Sequence, residues 1–308
     1  MLAGLFAFAR LVNAGEPVLA PGEIVVADRG GQGIRGALYR FEIGAVPRVV
    51  VTSEPLVMPT AVAIDRDGTL VVADLRRDEP GRIVRVDPTT GAVTPIADGW
   101  PLLTPIGLAI EASGDLLVAD LDAGSRLAFP RGSLAGTGAI YRIGQTVGVP
   151  VLLTIDCCTW NASAIAAMPT GDLAAVDLGF DVFTGDGALV LVDAITGVQR
   201  PIATSLPLLD PSGIVADGSG PLLVTEAANP QIGNAAVLAI EPRTGTVTTI
   251  ATGAPISDPR GIAMTASSDL VVADSAARAV YRIALPDHTL DVLATTPLVT
   301  PWGIAVAP

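Results

Sequence analysis

Residues 59–74 read PTAVAIDRDGTLVVAD, and this stretch decides the fold. A proline opens a short apolar run, a DRDG turn closes it, and a second apolar run ends on an acid. Runs of four to six residues bordered by Pro, Gly or Asp are the signature of paired strands. The pattern recurs. IVVAD ends at Asp28, LVVAD at Asp74, LLVAD at Asp120, LAAVD at Asp177, LLVTE at Glu226 and LVVAD at Asp274, at intervals of 46, 46, 57, 49 and 48 residues. Five of these follow an opening run: PTAVAI from Pro59, PIGLAI from Pro105, ASAIAA from Ala162, PSGIVA from Pro211 and PRGIAM from Pro259. A third run comes after, such as GRIVRVDPTTG or GALVLVDAITG, and then a fourth, such as AVTPIA or TVTTIA. Four strands per unit and six units predict an all-β protein, a six-bladed β-propeller of four-stranded antiparallel blades.

Closure of the ring can be read at the two ends of the repeat. The first unit lacks its opening run, and the sequence carries a spare one, PWGIAVAP, over Pro301–Pro308. Aligned on Pro59–Arg66, it runs on into Pro21 without gap or overlap. The C-terminal strand is therefore expected to complete the first blade and remove the free edge that an open sheet must otherwise protect. The propeller domain spans 21–308, and residues 1–20 are left as a targeting or accessory segment.

Composition agrees. Glycine (33) and proline (25) of 308 residues exceed the usual combined usage of about 12 %, which demands turns and excludes a helical bundle. Half the residues are apolar, enough for a large core, and the 12 aromatics leave that core aliphatic. The net charge is −13 and the sequence contains no lysine, so every cation beyond the sole histidine is an arginine. An acidic surface repels phosphate backbones, which argues against nucleic-acid partners.

The start, MLAGLFAFARLVNAGEP, has an apolar run over Met1–Ala9, with Val12 and Ala14 as small residues before a cleavage position. It resembles the tail of a secretory signal and points to a secreted or periplasmic protein. Arg10 interrupts it, and no later stretch has 18 uninterrupted apolar residues, so no membrane span is expected. Cys157 and Cys158 are adjacent and cannot staple distant segments. They suit either a strained vicinal disulfide or a pair of thiols.

With the strands of each blade lettered A to D from the hub outward, the D-to-A links and the B-to-C loops share one face, the top. The links carry a P-x-x-x-P spacing at Pro55–Pro59, Pro101–Pro105, Pro207–Pro211, Pro255–Pro259 and Pro297–Pro301, where two prolines stiffen the crossover. One link departs from it, reading DCCTWNAS, and the long B-to-C loop of blade three lies on the same side. Long loops on a rigid scaffold are where function concentrates. The candidate site is therefore the top mouth of the channel.

Six residues directly follow the link prolines or their equivalent: Thr60, Ile106, Ser163, Ser212, Arg260 and Trp302. They differ between blades, so the repeat does not dictate them, and they are the primary ligand-binding candidates. Arg260 suits an anionic group and Trp302 a stacking contact. Cys157, Cys158, Trp160 and Asn161 are candidates at the edge of the mouth. The six equivalent acids, Asp28, Asp74, Asp120, Asp177, Glu226 and Asp274, are weak metal candidates; the alternative is that each accepts N–H bonds at its own B-to-C turn. Asn161-Ala162-Ser163 matches a glycosylation sequon. Gly31–Gly36 matches G-x-G-x-x-G but lies between strands, where a nucleotide-binding turn needs a helix. The sole histidine, His288, falls in a C-to-D turn on the bottom. A serine triad and a His/Cys zinc site are thereby excluded.

The pattern P-x-G-[IL]-A, then G-[DT]-L-V-V-A-D, then R-[IV]-D-P-x-T-G resembles NHL-repeat propellers and the related senescence-marker-protein and gluconolactonase superfamily over residues 21–308. The resemblance implies the propeller architecture. It also implies, for the enzymes of that superfamily, a catalytic calcium at the hub held by a Glu, Asn and Asp set near the A-strand starts. In this chain those positions are Ser212, Arg260 and Trp302, with Thr60, Ile106 and Ser163 at the others. None is a carboxylate, and Arg260 would repel the metal. The repeat is also similar to that of the virginiamycin B lyase family, which relies on a catalytic histidine. The residues themselves predict no cofactor; calcium belongs to the enzymatic alternative. The expectation is an exported propeller binding a small anionic or carbonyl ligand, or a protein partner, at the top face. The alternative is a lactonase- or phosphotriesterase-like hydrolase, or a lyase, with a non-standard hub.

Overall fold

The computed structural model describes residues 18–31, 33–52, 54–122, 138–144, 148–155, 161–178, 187–204, 208–216, 218, 220–227, 234–285 and 287–308. Among these the chain forms 24 strands in six four-stranded antiparallel sheets and no helix. From the hub outward, blade one is β24 (Pro301–Val306), β1 (Ile24–Asp28), β2 (Ala37–Phe41) and β3 (Arg48–Thr52). Blade two is β4 (Met58–Ile64), β5 (Leu70–Leu75), β6 (Arg82–Val86) and β7 (Val93–Asp98). Blade three is β8 (Pro105–Ile110), β9 (Leu116–Asp120), β10 (Ala139–Ile143) and β11 (Pro150–Ile155). Blade four is β12 (Ala162–Ala167), β13 (Leu173–Asp177), β14 (Ala188–Val192) and β15 (Gln199–Thr204). Blade five is β16 (Pro211–Ala216), β17 (Leu222–Glu226), β18 (Ala236–Ile240) and β19 (Val247–Thr252). Blade six is β20 (Pro259–Met264), β21 (Leu270–Asp274), β22 (Ala279–Ile283) and β23 (Leu290–Ala294). The expected six-bladed propeller is the observed fold.

The closing strand pairs as the alignment of the two ends requires. Ile24 faces Val306, Val25 faces Ala305 and Val26 faces Ile304. The seam extends beyond the strands, for Gly22 N–H donates to the Ala307 carbonyl at 2.9 Å and Ala307 N–H to that of Glu23 at 2.9 Å. Leu19, within the segment expected to be surplus to the ring, is buried at 3 % exposure against Leu70, Val72 and Ala307. Leu19 thereby belongs to the apolar cluster that the first two blades share. Met1 to Pro17, with Val12 and Ala14, lie outside the described residues.

The core lies between blades rather than within one. Each apolar cluster joins two neighbours: Val25, Leu38 and Val51 of blade one meet Val62, Leu70 and Val84 of blade two, and Val271 and Val280 of blade six meet Ile24 and Phe41 of blade one. The B strands are buried on both faces and read as apolar runs that end on the acid, while the outermost D strands are largely open to solvent. On the bottom, four C-strand arginines tie back to acids at the A-to-B side: Arg40 to Glu23, Arg85 to Asp65, Arg142 to Glu111 and Arg282 to Asp269. The C-to-D turns there follow the expected hairpin chemistry. Gly91 takes a φ of 71°, and its N–H donates to the Asp87 carbonyl at 2.8 Å.

Candidate functional site

A single backbone irregularity positions the six residues after the link prolines. In every blade the A strand slips by one residue against the B strand: Pro59 faces Asp74 while Ala61 faces Ala73, Pro259 faces Asp274 while Gly261 faces Ala273, and Asp28 faces Pro301 while Ala27 faces Gly303. The residue left over in each is Thr60, Ile106, Ser163, Ser212, Arg260 or Trp302. A bulge of this kind re-aims the unpaired residue's side chain.

Where those side chains go divides them. The Thr60 hydroxyl donates to the Pro105 carbonyl at 2.8 Å, that of Ser163 to Pro211 at 2.7 Å and that of Ser212 to Pro259 at 2.7 Å. All three are buried and clip one blade to the next. Ile106, Arg260 and Trp302 stay partly exposed. The channel between the A strands is a cavity of only about 70 Å³, lined by Thr60, Ile106, Ser212, Arg260 and Trp302 among others. Its narrowness comes from small residues that let neighbouring backbones touch. A Cβ on Gly261 would run into the Trp302 carbonyl, and one on Gly213 into the Arg260 carbonyl.

Five of the six B-strand acids bond to the D-to-A link rather than chiefly at their own B-to-C turns. Each accepts two N–H groups from the link: Asp28 from Val299 and Thr300, Asp74 from Val57 and Met58, Asp120 from Leu103 and Thr104, Glu226 from Leu209 and Asp210, and Asp274 from Ser257 and Asp258. Asp177 accepts from Asn161 at 3.0 Å. Among the described residues, turn amides add to this at Asp28, Asp120 and Asp274. The register explains the correction, since each acid pairs across from the residue that opens its A strand and so lies beneath the link. Among the described residues no group of three or more His, Cys, Asp or Glu side chains is arranged to hold a metal.

Arg260 and Trp302 do come together, and they bring residues the sequence reading missed. The Arg260 guanidinium lies 4.8 Å from the Trp302 ring centre and that of Arg29 lies 4.1 Å from it. Arg260 is 2.7 Å from Asp258 and 3.7 Å from Asp210. Arg29 has no carboxylate partner among the described residues; burial and the neighbouring Arg260 charge both lower its pKa. Beneath them, Glu226 is 1 % exposed and pushed up to about 7, by burial first and by Asp210 in addition, against the pull of its two link amides and of Arg260. Burial and Asp258 also raise Asp210, against the pull of Arg260. Both signals lay in the repeat. The residue after the B-strand acid is Leu75, Leu121, Leu178, Ala227 or Ser275 in five blades and Arg29 in the first. The last link residue before the A-strand proline is an acid only at Asp210 and Asp258.

Beside the mouth, the B-to-C loop of blade one and that of blade two enclose a cleft of about 680 Å³, walled by Gly33, Ile34 and Arg35 on one side and Arg77 and Asp78 on the other, with Val57 and Met58 at its base. Arg29 and this wall belong to one loop, so mouth and cleft adjoin. Asn161 lies at the top of blade four, with its carbonyl accepting Leu178 N–H at 3.1 Å. Cys157, Cys158 and Trp160, and most of the long loop of blade three, lie outside the described residues.

The chain resembles solved propellers in fold alone. Over 93 % of its length it superposes on 99 % of a chain in the nidogen/laminin complex, with a TM-score of 0.71 and 16 % identity. It superposes on 67 % of TolB from Acinetobacter baumannii (TM-score 0.68, 15 % identity, 93 % of this chain) and on 88 % of a streptogramin B lyase (0.62, 14 %, 93 %). No protein-family model matches the chain, and no curated protein matches it in sequence. Identities this low carry the architecture and leave activity to the site.

The hub calcium implied by the gluconolactonase resemblance is not matched by the residues present. The bulge positions supply three hydroxyls turned to neighbouring carbonyls, an isoleucine, an indole and a guanidinium. A hard dication needs a cage of oxygens. His288 sits in the turn between β22 and β23, on the face opposite the mouth.

Proposed function

We propose that this chain is an exported recognition propeller whose top face binds a ligand through an anionic or carbonyl group held at Arg29, Arg260 and Trp302. The observation that carries the reading is Arg29: a half-buried guanidinium, seated on an indole and facing a second arginine, with no carboxylate partner among the described residues. Such a charge is costly unless an anion completes it. The adjoining cleft gives room for the rest of the ligand, whether a small molecule or the side chain of a protein partner. Export rests on the apolar start and on Val12 and Ala14.

The test is calorimetry with sulfate and acetate on the wild type and on Arg29→Ala. Binding is expected in the wild type and a loss of about tenfold in affinity in the variant, the scale of one hydrogen bond to a charged group. Equal binding by the two proteins would overturn the assignment. Hydrolase or lyase chemistry at the same mouth is favoured by one observation. Glu226 is held near 7, where a carboxyl serves as general acid or base at neutral pH. A lactone and phosphotriester panel, with turnover lost in Glu226→Gln, would establish it.

A further inference from the structure

Two buried polar atoms at the mouth have no hydrogen-bond partner among the described residues: Nε of Arg260 and Oε2 of Glu226. They belong to one cluster. Glu226 Oε1 accepts the Asp210 N–H at 2.6 Å, Asp210 Oδ1 lies 3.7 Å from Arg260 Nη1, and the hydroxyl of Thr225, next to Glu226 in β17, donates to the Arg260 carbonyl at 3.1 Å. Orphaned buried donors are rare and call for a specific explanation. Arg260 Nε always carries a hydrogen. Glu226 Oε2 carries one when the carboxyl is protonated, and its Oε1 is already committed as an acceptor to Leu209 and Asp210. Each is a donor that an oxygen bearing lone pairs would complete.

We infer that the mouth is an oxyanion site in which protonated Glu226 and Arg260 Nε donate to the same ligand, so that binding the anion requires the proton on Glu226. This deepens the proposed function and rests on it. The ligand class is a carboxylate or a tetrahedral sulfate or phosphate group, with Arg29 supplying the uncompensated charge. The charged groups around Glu226 are Asp210 from the link above it, Arg260 from β20, Asp258 through its pair with Arg260, and Arg29 across Trp302; its partner on β18 is Ala236, which carries no charge. With the carboxyl ionised, three acids face two arginines and an incoming anion is repelled. With it neutral, the charges balance and a donor is gained. Burial, the largest influence on Glu226, places this change near neutral pH.

The experiment measures the affinity of sulfate, whose charge stays constant between pH 5.5 and 8.5, and of acetate, counted as its ionised fraction, for the full chain across that range. The wild type is expected to bind about ten- to thirtyfold more weakly at pH 8.5 than at pH 5.5, following the protonated fraction. Glu226→Gln keeps an acceptor at Oε1 and fixes a donor at the other position, so its binding should be independent of pH and close to the wild type at pH 5.5. Arg260→Lys keeps the charge and lacks the Nε–H; it should bind at least fivefold more weakly at pH 5.5 with the wild-type pH slope. Tighter binding of sulfate assigns tetrahedral esters as the ligand class, and tighter binding of acetate assigns carboxylates. A flat wild-type profile, or a Glu226→Gln profile with the wild-type slope, overturns the proton linkage and leaves the anion site standing. No binding of either probe at any pH overturns the site itself.

Discussion

Asp120 and Glu226 hold the same place in two blades and are built differently. Asp120 uses both oxygens, Oδ2 for Leu103 N–H and Oδ1 for those of Thr104 and Asp122. Its pKa is raised to about 6, by burial against the pull of those amides. Asp120→Asn turns an amide NH₂ against a backbone N–H and should cost about 1–3 kcal/mol in urea unfolding at pH 8. Glu226 uses one oxygen only, so Glu226→Gln should be tolerated. Its raised pKa also gives a sign. The unfolded carboxyl ionises first, so the protein loses stability as pH rises from the ordinary Glu range through about 7. Melting of the wild type should therefore drop between pH 5 and 8 more than melting of Glu226→Gln; parallel curves would contradict the assignment. Asp269 runs the other way. Burial opposes its ionisation, but the hydrogen bonds and charge of Arg282 hold it below the usual carboxylate range. Stability from that pair is complete above the ordinary Asp range and is lost as pH falls through the lowered pKa.

At the scale of the element, the A strand does most of the positioning. Its bulge aims one side chain per blade, its opening residue, a proline in five blades, anchors the link over the B-strand acid, and its small third residue lets the next blade close in. Gly261→Ala places a Cβ against the Trp302 backbone, which no side-chain rotation relieves. A loss of about 1–3 kcal/mol is expected, the scale of overpacking a tight core, with the Arg260–Trp302 contact disturbed. Unchanged melting and unchanged Trp fluorescence would count against it. The strand pattern and the closure were legible because an alternating apolar run between turn residues has few other ways to bury itself. The bulge was not legible, since nothing in P-x-G distinguishes a slipped register from a regular one. That is why Thr60, Ser163 and Ser212 read as rim residues although their hydroxyls are turned into the seams between blades. Arg29, Asp210 and Asp258 were visible as departures from the repeat, but the meeting of Arg29 with Trp302, and of Asp210 and Asp258 with Arg260, depends on how the blades come together at one mouth.

For the whole molecule, stability is held in seams between blades rather than in autonomous units, because each apolar cluster is shared by two sheets. Removing residues 301–308 opens one seam and strips Ile24, Val26 and Phe41 of cover from Ile304. The truncated chain is expected to be insoluble or to elute as aggregate; a soluble monomer with a native circular dichroism spectrum would contradict the closure as described.

The same seam sets a clock on biosynthesis. β1 emerges early and its hub-side partner, β24, about 270 residues later. At about 5–20 residues per second the wait is roughly 15–55 s, far longer than the microseconds a hairpin needs to form. Throughout that interval the first blade is a three-stranded sheet with a bare inner edge, and the arc of finished blades is a horseshoe with two sticky ends. A passenger that binds unpaired strand edges, whether a holdase or a second nascent copy, meets its best target then. The finished ring offers no such edge at the hub.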